Sequence, residues 1–391
     1  MSAPERRGAT GVMTAAFATA AGVVVYTFAG YPAIVAAWAR LRPRPVRLDP
    51  AFQPPVTLII AAYDEETEIV ERLANAFEAD YPRELLEVVV VADGSTDRTA
   101  EFARTVPGVH VLHRPERRGK LAAMVRAAEA ATTDLLVFSD ANNRYAPQTI
   151  RELVAPLSDP EVGVVAGRKA IDDRDGRALD RAEGGYWRYE SKLKSWESAI
   201  GSTIGAAGEV IAFRREAFRT PTEGVMNEDL VQAVTAAADG WRVVYAPAAI
   251  SMERASLTVE DEATRRSRLV TGRFQALAAL MPTLVRRNPR LAWQLVSHKG
   301  LRPVVPWALI VIAALNLPLA RRRGWAALTL ALQTAFYGAA IGGWAAHRAR
   351  RRSRALFLPY YFCRMNIAAL SGVWHFASGR REHVWKRVRR G

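Results

Sequence analysis

The chain has 391 residues, of which 50% are hydrophobic and 24% charged, and its 54 basic and 39 acidic residues give a formal net charge of +15. Much of the basic excess flanks apolar runs and lacks interleaved aromatic residues, which argues against nucleic-acid binding and favours contact with anionic lipids. The single cysteine, Cys363, excludes an intrachain disulfide and a cysteine-based metal site.

The first predicted element is a membrane helix. Residues 11–38 contain no charged side chain, and this run is long enough to cross a bilayer and too long for the core of a signal peptide. An uncleaved signal sequence is the alternative. Four arginines follow within residues 40–47, whereas only Arg6 and Arg7 precede the run. The positive-inside rule therefore predicts that the downstream domain is cytoplasmic.

The next part of the chain has the pattern of an α/β domain. From residue 56 to about residue 245, short β-branched runs alternate with helical patterns, as a parallel sheet with crossover helices requires. The predicted strands are 56–61, 87–92, 109–112, 135–139 and 162–166. The predicted helices between them are 66–80, 96–105, 120–131 and 147–156. We expect a Rossmann-like, mostly parallel sheet.

The last part of the chain is again typical of a membrane protein. Residues 284–298 have an amphipathic, arginine-rich pattern that predicts a helix lying on the membrane surface. Three apolar segments follow at 304–320, 325–346 and 355–377. We expect two of them to span the membrane, and the third, which carries Arg364 and His375, to be interfacial or re-entrant. The predicted division is 1–48 for the N-terminal membrane helix and basic flank, 49–282 for the α/β domain, 283–302 for the interface helix and 303–391 for the C-terminal membrane segments and basic tail.

Polar motifs follow three of the predicted strands. Because the carboxyl ends of parallel strands meet at one edge of a sheet, we expect these side chains to lie close together. Gathered carboxylates repel one another unless a cation or a hydrogen-bonding ligand offsets them. Taken alone, Asp93 and Ser95 are also ordinary turn and helix-cap residues. The motifs are Tyr63-Asp64-Glu65-Glu66, Asp93-Gly94-Ser95-Thr96-Asp97 and Asp140-Ala141-Asn142.

With three later motifs, these residues resemble the membrane-bound branch of the family 2 glycosyltransferases, which includes cellulose, hyaluronan and poly-N-acetylglucosamine synthases. The six motifs occur in the family's order. The resemblance implies an α/β domain of the GT-A fold with transmembrane helices, and transfer of a sugar from a UDP-sugar to a glycan acceptor at the cytoplasmic face of the plasma membrane. The three later motifs are Gly119-Lys120, Asn227-Glu228-Asp229 and Arg265-Arg266-Ser267-Arg268.

The resemblance assigns the donor's nucleoside to Tyr63, to Asp64 or Glu65, and to Asp93. Asp93 would accept a hydrogen bond from the uracil imide, which needs a fixed acceptor. Lys120, at the predicted start of a helix, would bring a positive charge to the nucleotide end of the donor. An exposed surface lysine is the alternative for Lys120.

Asp140 and Asn142 match the family's DxD signature, which implies a divalent ion, Mg²⁺ or Mn²⁺, bridging the two phosphates of the donor. Oxygen ligands suit both ions, and the diphosphate supplies several of them. Asn142 stands where the signature has its second acid, so we expect weaker or water-mediated binding there. Asn143 has the properties of a turn residue.

Asp229 matches the family's catalytic aspartate, which implies a general base and a single displacement with inversion at the anomeric carbon. Glu228 beside it either points towards the acceptor or favours the start of a helix through the helix dipole. Arg265 and Arg268 match the two charges of the family's (Q/R)xxRW motif and would neutralise the departing diphosphate, since guanidinium groups bind phosphate bidentately. A solvated basic helix face is the alternative for these arginines.

The acceptor side is implied by Gly205, Gly208 and Leu269. Small residues at Gly205 and Gly208 allow a sugar to approach the backbone closely. Leu269 replaces the tryptophan that processive members keep. Three functions therefore remain open: synthesis of a cell-surface polysaccharide, transfer of one sugar to a polyprenyl-phosphate or lipid-linked acceptor, and a non-catalytic scaffold that binds nucleotide sugars.

Overall fold

The computed structural model describes residues 3–172, 178–219, 226–349, 351 and 353–379. Within these residues, strands β1 to β8 are Val56–Ala62, Leu86–Asp93, Val109–Arg114, Leu135–Asp140, Arg144–Tyr145, Val162–Asp172, Ile211–Arg214 and Arg242–Arg254. Over the same residues, helices α1 to α13 are Ala3–Val25, Tyr31–Leu41, Ile69–Phe77, Thr99–Arg104, Lys120–Ala130, Thr149–Val154, Ala178–Ala199, Glu228–Ala238, Val259–Arg287, Pro289–Leu295, Val305–Ala320, Gly324–Arg348 and Arg354–Ala377.

The chain forms two compact units. The sheet unit comprises the described parts of residues 35–255 and residues 278–292. The helical unit comprises the described parts of residues 1–34, 256–277 and 293–380. Strands β1 to β8 all belong to the sheet unit, so the candidate chemistry predicted at strand ends belongs there as well.

The sheet unit is built on one mixed sheet with the strand order β3-β2-β1-β4-β7-β6-β8-β5. β1 pairs in parallel with β2 and with β4, and β2 pairs in parallel with β3. The valine- and isoleucine-rich runs of β1 and β2 are buried on both faces, as is usual in parallel sheets that helices cover. The predicted α/β fold with a mostly parallel sheet is confirmed. Four of the predicted strands are present with their ends shifted by one or two residues, and the fifth, predicted at 162–166, continues to Asp172.

The strand order creates a switch point between β1 and β4. β2 and β3 extend the sheet on one side of β1, and β4 extends it on the other. Open α/β sheets bind ligands outside the carboxyl ends of their strands at such a point. Asp140, the last residue of β4, pairs in register with Ala61 of β1, two residues before Tyr63. The first and third strand-end motifs therefore meet at the switch point.

Strand β7 runs against the direction of its neighbours. It is antiparallel to β4, and Ile211 of β7 lies opposite Phe138 of β4. The beginning of β7 therefore lies beside the end of β4. This arrangement places the small-residue segment before β7, which contains Gly205 and Gly208, at the sheet edge where Asp140 lies.

The helical unit contains the apolar segments. Among the described residues, two helical runs are long and apolar enough to cross a membrane: Gly8–Leu41, which includes most of α1 and all of α2, and α12. α11 reaches the length and hydropathy of a membrane span only together with the helical segment 289–300. The axes of these two segments are bent by 59° relative to each other. The segment predicted at 355–377 forms the continuous helix α13.

The segment predicted as one interface helix over 284–298 is divided, so the predicted single helix was wrong, whereas its place on the membrane surface stays a prediction. α9 ends at Arg287 and α10 begins at Pro289. Proline has no N–H to continue a helix and disfavours helical geometry in the residue before it, whereas it is favoured at a first helical position. The Asn288 side chain accepts a hydrogen bond from the Leu291 N–H at 3.1 Å and so caps the new helix.

Phe138 of β4 holds an aromatic cluster in the sheet unit. Its ring stacks on Phe218 with centroids 5.2 Å apart and meets Phe213 edge-on at 5.8 Å. We expect Phe138→Ala to destabilise the sheet unit by about 3–5 kcal/mol, because it removes buried aromatic surface and leaves a cavity. Thermal unfolding of the full-length protein in detergent measures the loss. Val70→Ala, at an exposed position, is the control, and equal shifts for both variants would contradict the prediction.

Candidate active site

The candidate active site lies at the edge of the sheet where β1, β2 and β4 end. Asp93 is the last residue of β2, Asp140 is the last residue of β4, and Tyr63 directly follows β1. Helix α8 begins at Glu228 and contributes Asp229 from its first turn. The structure therefore brings together predicted donor-binding and catalytic residues from four elements of the sheet unit.

The loop after β1 is joined to the loop after β2. Asp64 has a left-handed backbone conformation, with φ of 52°, which aspartate tolerates better than most residues. Its Oδ1 accepts a hydrogen bond from the Thr96 N–H at 2.8 Å, and its own N–H donates to Ser95 Oγ at 3.2 Å. The Glu65 N–H donates to Thr99 Oγ1 at 2.8 Å. The first two predicted motifs thus form one hydrogen-bonded structure.

Asp93 anchors the loop that leads to Lys120. Its Oδ2 accepts hydrogen bonds from the backbone N–H groups of Arg118 at 3.1 Å and Gly119 at 2.6 Å. The carboxylate is buried, and its second oxygen also lies 3.3 Å from the Arg118 nitrogen. Asp93 is therefore a fixed acceptor, as its predicted role requires, and it also determines where α5 begins.

Arg117 covers Tyr63 in a contact that was not predicted. The Arg117 guanidinium carbon lies 3.6 Å from the centroid of the Tyr63 ring, a cation–π distance. Gly94 permits this loop to approach, because a Cβ at Gly94 would lie only 2.6 Å from the Cβ of Arg117 and because its φ is +67°. An aromatic and a cationic side chain therefore lie together at the predicted nucleoside position.

Lys120 lies among carboxylates. Its ammonium forms an ion pair and a short hydrogen bond with Asp140. Burial alone would lower the pKa of Lys120, but the negative charges of Asp140 and Glu228 outweigh burial and raise this pKa. Lys120 is therefore a permanent cation. Because only 14% of its side chain is exposed, the alternative of an exposed surface lysine is wrong.

Glu228 is a buried carboxylate and Asp229 a half-buried one, and both lie beside this cation. Burial raises the pKa of both groups, and the charge of Glu209 raises that of Asp229 further, against the opposing effects of the Leu230 N–H and Lys120. The Gly208 N–H donates to Asp229 Oδ2 at 3.2 Å. A carboxylate with a raised pKa is suited to accept a proton near neutral pH.

Glu209 is a further acidic residue that was not predicted from the sequence. Its Oε1 lies 2.8 Å from the Nζ of buried Lys169, which also pairs with Glu253. Burial alone would raise the pKa of Glu209, but Lys169 and Lys120 outweigh it and lower the pKa to about 2. Glu209 is therefore ionised under all ordinary conditions. The signal in the sequence was a lone acid within an otherwise small and apolar segment.

A buried network fixes the loop after β4. Arg72 of α3 donates to Ser139 Oγ at 2.9 Å and to Asn143 Oδ1 at 3.2 Å. Asn143 Nδ2 in turn donates to the Glu209 carbonyl oxygen at 2.8 Å. Burial lowers the pKa of Arg72 to about 10, so it remains charged at neutral pH. Asn143 is therefore more than a turn residue, because it joins the end of β4 to the segment before β7.

Asp140 and Asn142 provide oxygen atoms suited to a divalent ion. Asn142 Oδ1 is buried and accepts no hydrogen bond from the residues that the structure describes. Leaving a buried acceptor unpaired costs free energy that a bound cation or donor group offsets. Three or more His, Cys, Asp or Glu side chains do not gather into a metal site anywhere in the described ranges. The residues present therefore fit an ion that takes its remaining ligands from a diphosphate.

The two predicted acceptor-side glycines have different neighbours. A Cβ at Gly208 would lie 3.3 Å from the Cβ of Asp229 and 3.4 Å from the Nζ of Lys120. A Cβ at Gly205 would lie 2.9 Å from the side-chain carbons of Lys194. Gly208 therefore faces the carboxylates around Lys120, whereas Gly205 packs against the stem of a buried lysine.

Three predicted residues, Arg265, Arg268 and Leu269, lie on α9 in the helical unit. Arg265 Nε donates to Glu262 Oε2 at 2.6 Å. Only 13% of the Arg265 side chain is exposed, so the alternative of a solvated helix face is wrong for this residue. The roles of these three residues in binding diphosphate and acceptor stay predictions.

Comparison with known proteins identifies the domain that carries this site. Residues 57–220 match the model of the family described as Glycosyl transferase family 2. The chain carries a family 2 glycosyltransferase domain. The matched residues include Tyr63, Asp93, Lys120, Asp140 and Gly208, and the prediction that the protein is a glycosyltransferase is confirmed.

Relatives of this glycosyltransferase differ in what their names say they transfer. It is 25% identical over 320 residues to an N-acetylglucosaminyltransferase of Rhizobium meliloti (strain 1021), covering 72% of each chain. It is 27% identical over 167 residues to a beta-monoglucosyldiacylglycerol synthase of Nostoc sp. (strain PCC 7120), covering 40% of this chain and 34% of the synthase.

A solved structure has the same fold as this glycosyltransferase. A mannosyltransferase from Pyrobaculum calidifontis, solved in complex with GDP-Man and Mn²⁺, superposes with a TM-score of 0.69 at 27% sequence identity. The match covers 93% of this chain and 99% of the mannosyltransferase. The predicted GT-A fold is confirmed.

The close approach at Gly208 gives a test of the site's geometry. We expect Gly208→Ala to lower kcat of the glycosyltransferase roughly 10- to 100-fold, because the added methyl group displaces Asp229 or Lys120 by a few tenths of an ångström. Steady-state release of nucleoside diphosphate measures the effect. Gly185→Ala, where the nearest atom to the new Cβ is an Arg188 nitrogen at 3.9 Å, is the matched control. Full activity of Gly208→Ala would show that the site tolerates a side chain there.

Proposed function

We propose that the protein transfers a hexose from a nucleoside diphosphate sugar to an acceptor hydroxyl, with inversion at the anomeric carbon. The observation that carries the proposal is the group at the switch point, where Lys120 pairs with Asp140 and the half-buried carboxylate of Asp229 lies beside them. Lys120 can stabilise the negative charge of the leaving diphosphate, and Asp229 can accept the proton of the acceptor hydroxyl.

For the donor, we propose that the base lies against Tyr63 and Asp93, with Asp64 or Glu65 beside the ribose. Asp93 suits this role because it is buried and fixed by backbone N–H groups. A UDP-sugar is the donor that the sequence motifs favour. GDP-Man is the second candidate, because the Pyrobaculum calidifontis mannosyltransferase of the same fold was solved with it.

For the diphosphate, we propose that Lys120, Asp140 and Asn142 act together. Asp140 and Asn142 would hold a divalent ion, Mn²⁺ or Mg²⁺, which supplies Lewis-acid stabilisation of the diphosphate when bound. The unpaired Oδ1 of Asn142 supports that assignment. Lys120 contributes a charge that does not depend on the ion. Arg265 and Arg268 are proposed to bind the departing phosphates through their guanidinium groups.

For the acceptor, Asp229 is the proposed general base. The acceptor oxygen attacks the anomeric carbon, its proton passes to Asp229, and the bond from the anomeric carbon to the diphosphate breaks. Gly208 keeps the space next to Asp229 free of side-chain atoms. Glu228, buried in the same turn, is proposed to orient the acceptor rather than to take the proton.

The acceptor class is either a growing glycan or a lipid-linked molecule, with the domain at the cytoplasmic face of the cell membrane. Four arginines in residues 40–47 after the first apolar run support that orientation. Leu269, in place of the tryptophan of processive members, and the relationship to a beta-monoglucosyldiacylglycerol synthase favour transfer of one sugar to a lipid-linked acceptor.

A donor screen tests the proposal. We expect the purified full-length protein to release nucleoside diphosphate from a UDP-sugar or from GDP-Man with Mn²⁺ or Mg²⁺ present, and EDTA to abolish the release reversibly. Asp229→Asn should lower kcat by roughly 10²- to 10⁴-fold, because the base is lost while shape is preserved.

Asp239→Asn, at the other end of α8 and paired with Arg219 at 3.2 Å, is the matched control and should retain activity. The proposal fails if none of the donors is turned over, or if the two asparagine variants have the same activity. Mass analysis of the product separates single transfer from polymerisation.

The charge of Glu209 gives a pH test. Because burial and Glu209 raise the pKa of Asp229, kcat/KM should rise with pH to a plateau, with an inflection above the ordinary aspartate value of about 3.9. Glu209→Gln removes one negative neighbour, so the inflection should move to lower pH by roughly one unit. Glu216→Gln, at an exposed position, should leave it in place. An inflection that moves upward in Glu209→Gln would exclude Asp229 as the titrating base.

A further inference from the structure

The helical unit contains a large apolar cavity between its last three helices. Its volume is about 920 Å³, in the range of pockets for organic ligands, and it is open on one side, where Ile310, Ile341 and Ile367 are themselves exposed. α11 and α12 each contribute one face, with lining residues three or four positions apart, and α13 contributes a wider arc that includes Phe362, Cys363 and Arg364. Representative lining residues are Ile310, Ala313, Tyr337, Ile341, Cys363 and Ile367.

The cavity also has a polar part. Arg364 of α13 lines it, one helical turn beyond Tyr360, and Glu260 from the first turn of α9 lines it as well. Arg364 is half-buried and makes no hydrogen bond or ion pair with any residue in the described part of the chain. Glu260 lines the same cavity but forms no ion pair with Arg364 among the described residues, so the guanidinium can take a further anionic partner, which would offset the cost of its partial burial.

We propose that this cavity binds the lipid part of the acceptor: an isoprenoid or acyl chain between α11, α12 and α13, with its phosphate on Arg364. This inference rests on the proposed function, because it names the lipid-linked acceptor as the substrate class. The apolar walls fit a hydrocarbon chain. The planar guanidinium fits a phosphate, which it binds through two parallel hydrogen bonds.

Glu260 argues for an acceptor rather than for an ordinary bilayer lipid. A carboxylate close to a phosphate is unfavourable unless hydroxyl groups of the same molecule donate to it, as the sugar of a lipid-linked glycan does. Glu260 also lies on the helix that carries Arg265, roughly 7.5 Å away along the axis at 1.5 Å per residue. The polar end of the cavity and the predicted diphosphate-binding arginines therefore share one helix.

Photo-cross-linking of the full-length protein, in phosphatidylcholine nanodiscs, tests the inference. The probe is a diazirine-bearing farnesyl phosphate, and cross-linked peptides are identified by mass spectrometry. We expect capture on peptides from α11 to α13. Unlabelled farnesyl phosphate should compete at a concentration at least tenfold lower than farnesol, which has the same chain without the phosphate.

Two pairs of variants separate the charge from the cavity. In Arg364→Gln, farnesyl phosphate should compete with the probe no better than farnesol does. In Arg321→Gln, at an exposed position, the tenfold difference between the two competitors should remain. Ala313→Phe should obstruct the cavity with an aromatic ring and lower capture of the probe at least tenfold, whereas Ala327→Phe, at an exposed position of α12 outside the lining, should not. Elution of each variant at the wild-type volume in size exclusion verifies folding.

Equal competition by farnesol, or by phosphatidylglycerol at the same concentration, would overturn the inference, since the site would then bind any apolar chain or any bilayer phosphate. Unchanged competition in Arg364→Gln would overturn it as well.

Donor turnover by the same preparation separates the two proposals. If nucleoside diphosphate is released but α11 to α13 are not labelled, the cavity inference fails and the proposed function stands. If no donor is turned over, the proposed function fails first.

Discussion

The charge balance around Lys120 is the constraint on which the active site depends. Asp140 pairs directly with its ammonium, and Glu209, Glu228 and Asp229 all act on it or on one another electrostatically. Four carboxylates this close would repel one another without a buried cation. A nucleoside diphosphate brings more negative charge, so its binding requires further positive charge, which is the physical reason for the divalent ion proposed at Asp140 and Asn142.

The sheet topology explains how distant parts of the sequence reach this cation. Parallel strands β1, β2 and β4 all end at one edge, which places the predicted donor-binding motifs there. The acceptor-side segment reaches the same edge because β7 runs the other way, with Ile211 beside Phe138. Lys169 then holds Glu209 in place from β6. One reversed strand therefore joins the two halves of the proposed reaction.

Much of the fold and of the candidate active site could be predicted from the sequence, and the features that could not be predicted have physical causes. Strand-end residues such as Asp93 and Asp140 were predictable because their positions follow from strand periodicity and the parallel arrangement. Glu209 was not, because its position depends on the direction of β7. Arg72 has the helical context of a surface residue, and only tertiary packing buries it. Pro289 itself indicates a helix break. The amphipathic pattern continues on both sides of this proline, however, and favoured the prediction of one continuous helix.

The helical unit has consequences for how this protein can be studied. Cys363 is the only cysteine among 391 residues, and it lies in the wall of the cavity between α11, α12 and α13. A small thiol-reactive fluorophore or spin label on the natural chain would therefore report from that one place, with no background labelling to remove by mutagenesis. Changes in its polarity or mobility signal would follow occupancy of the cavity in real time, independently of any sugar transfer.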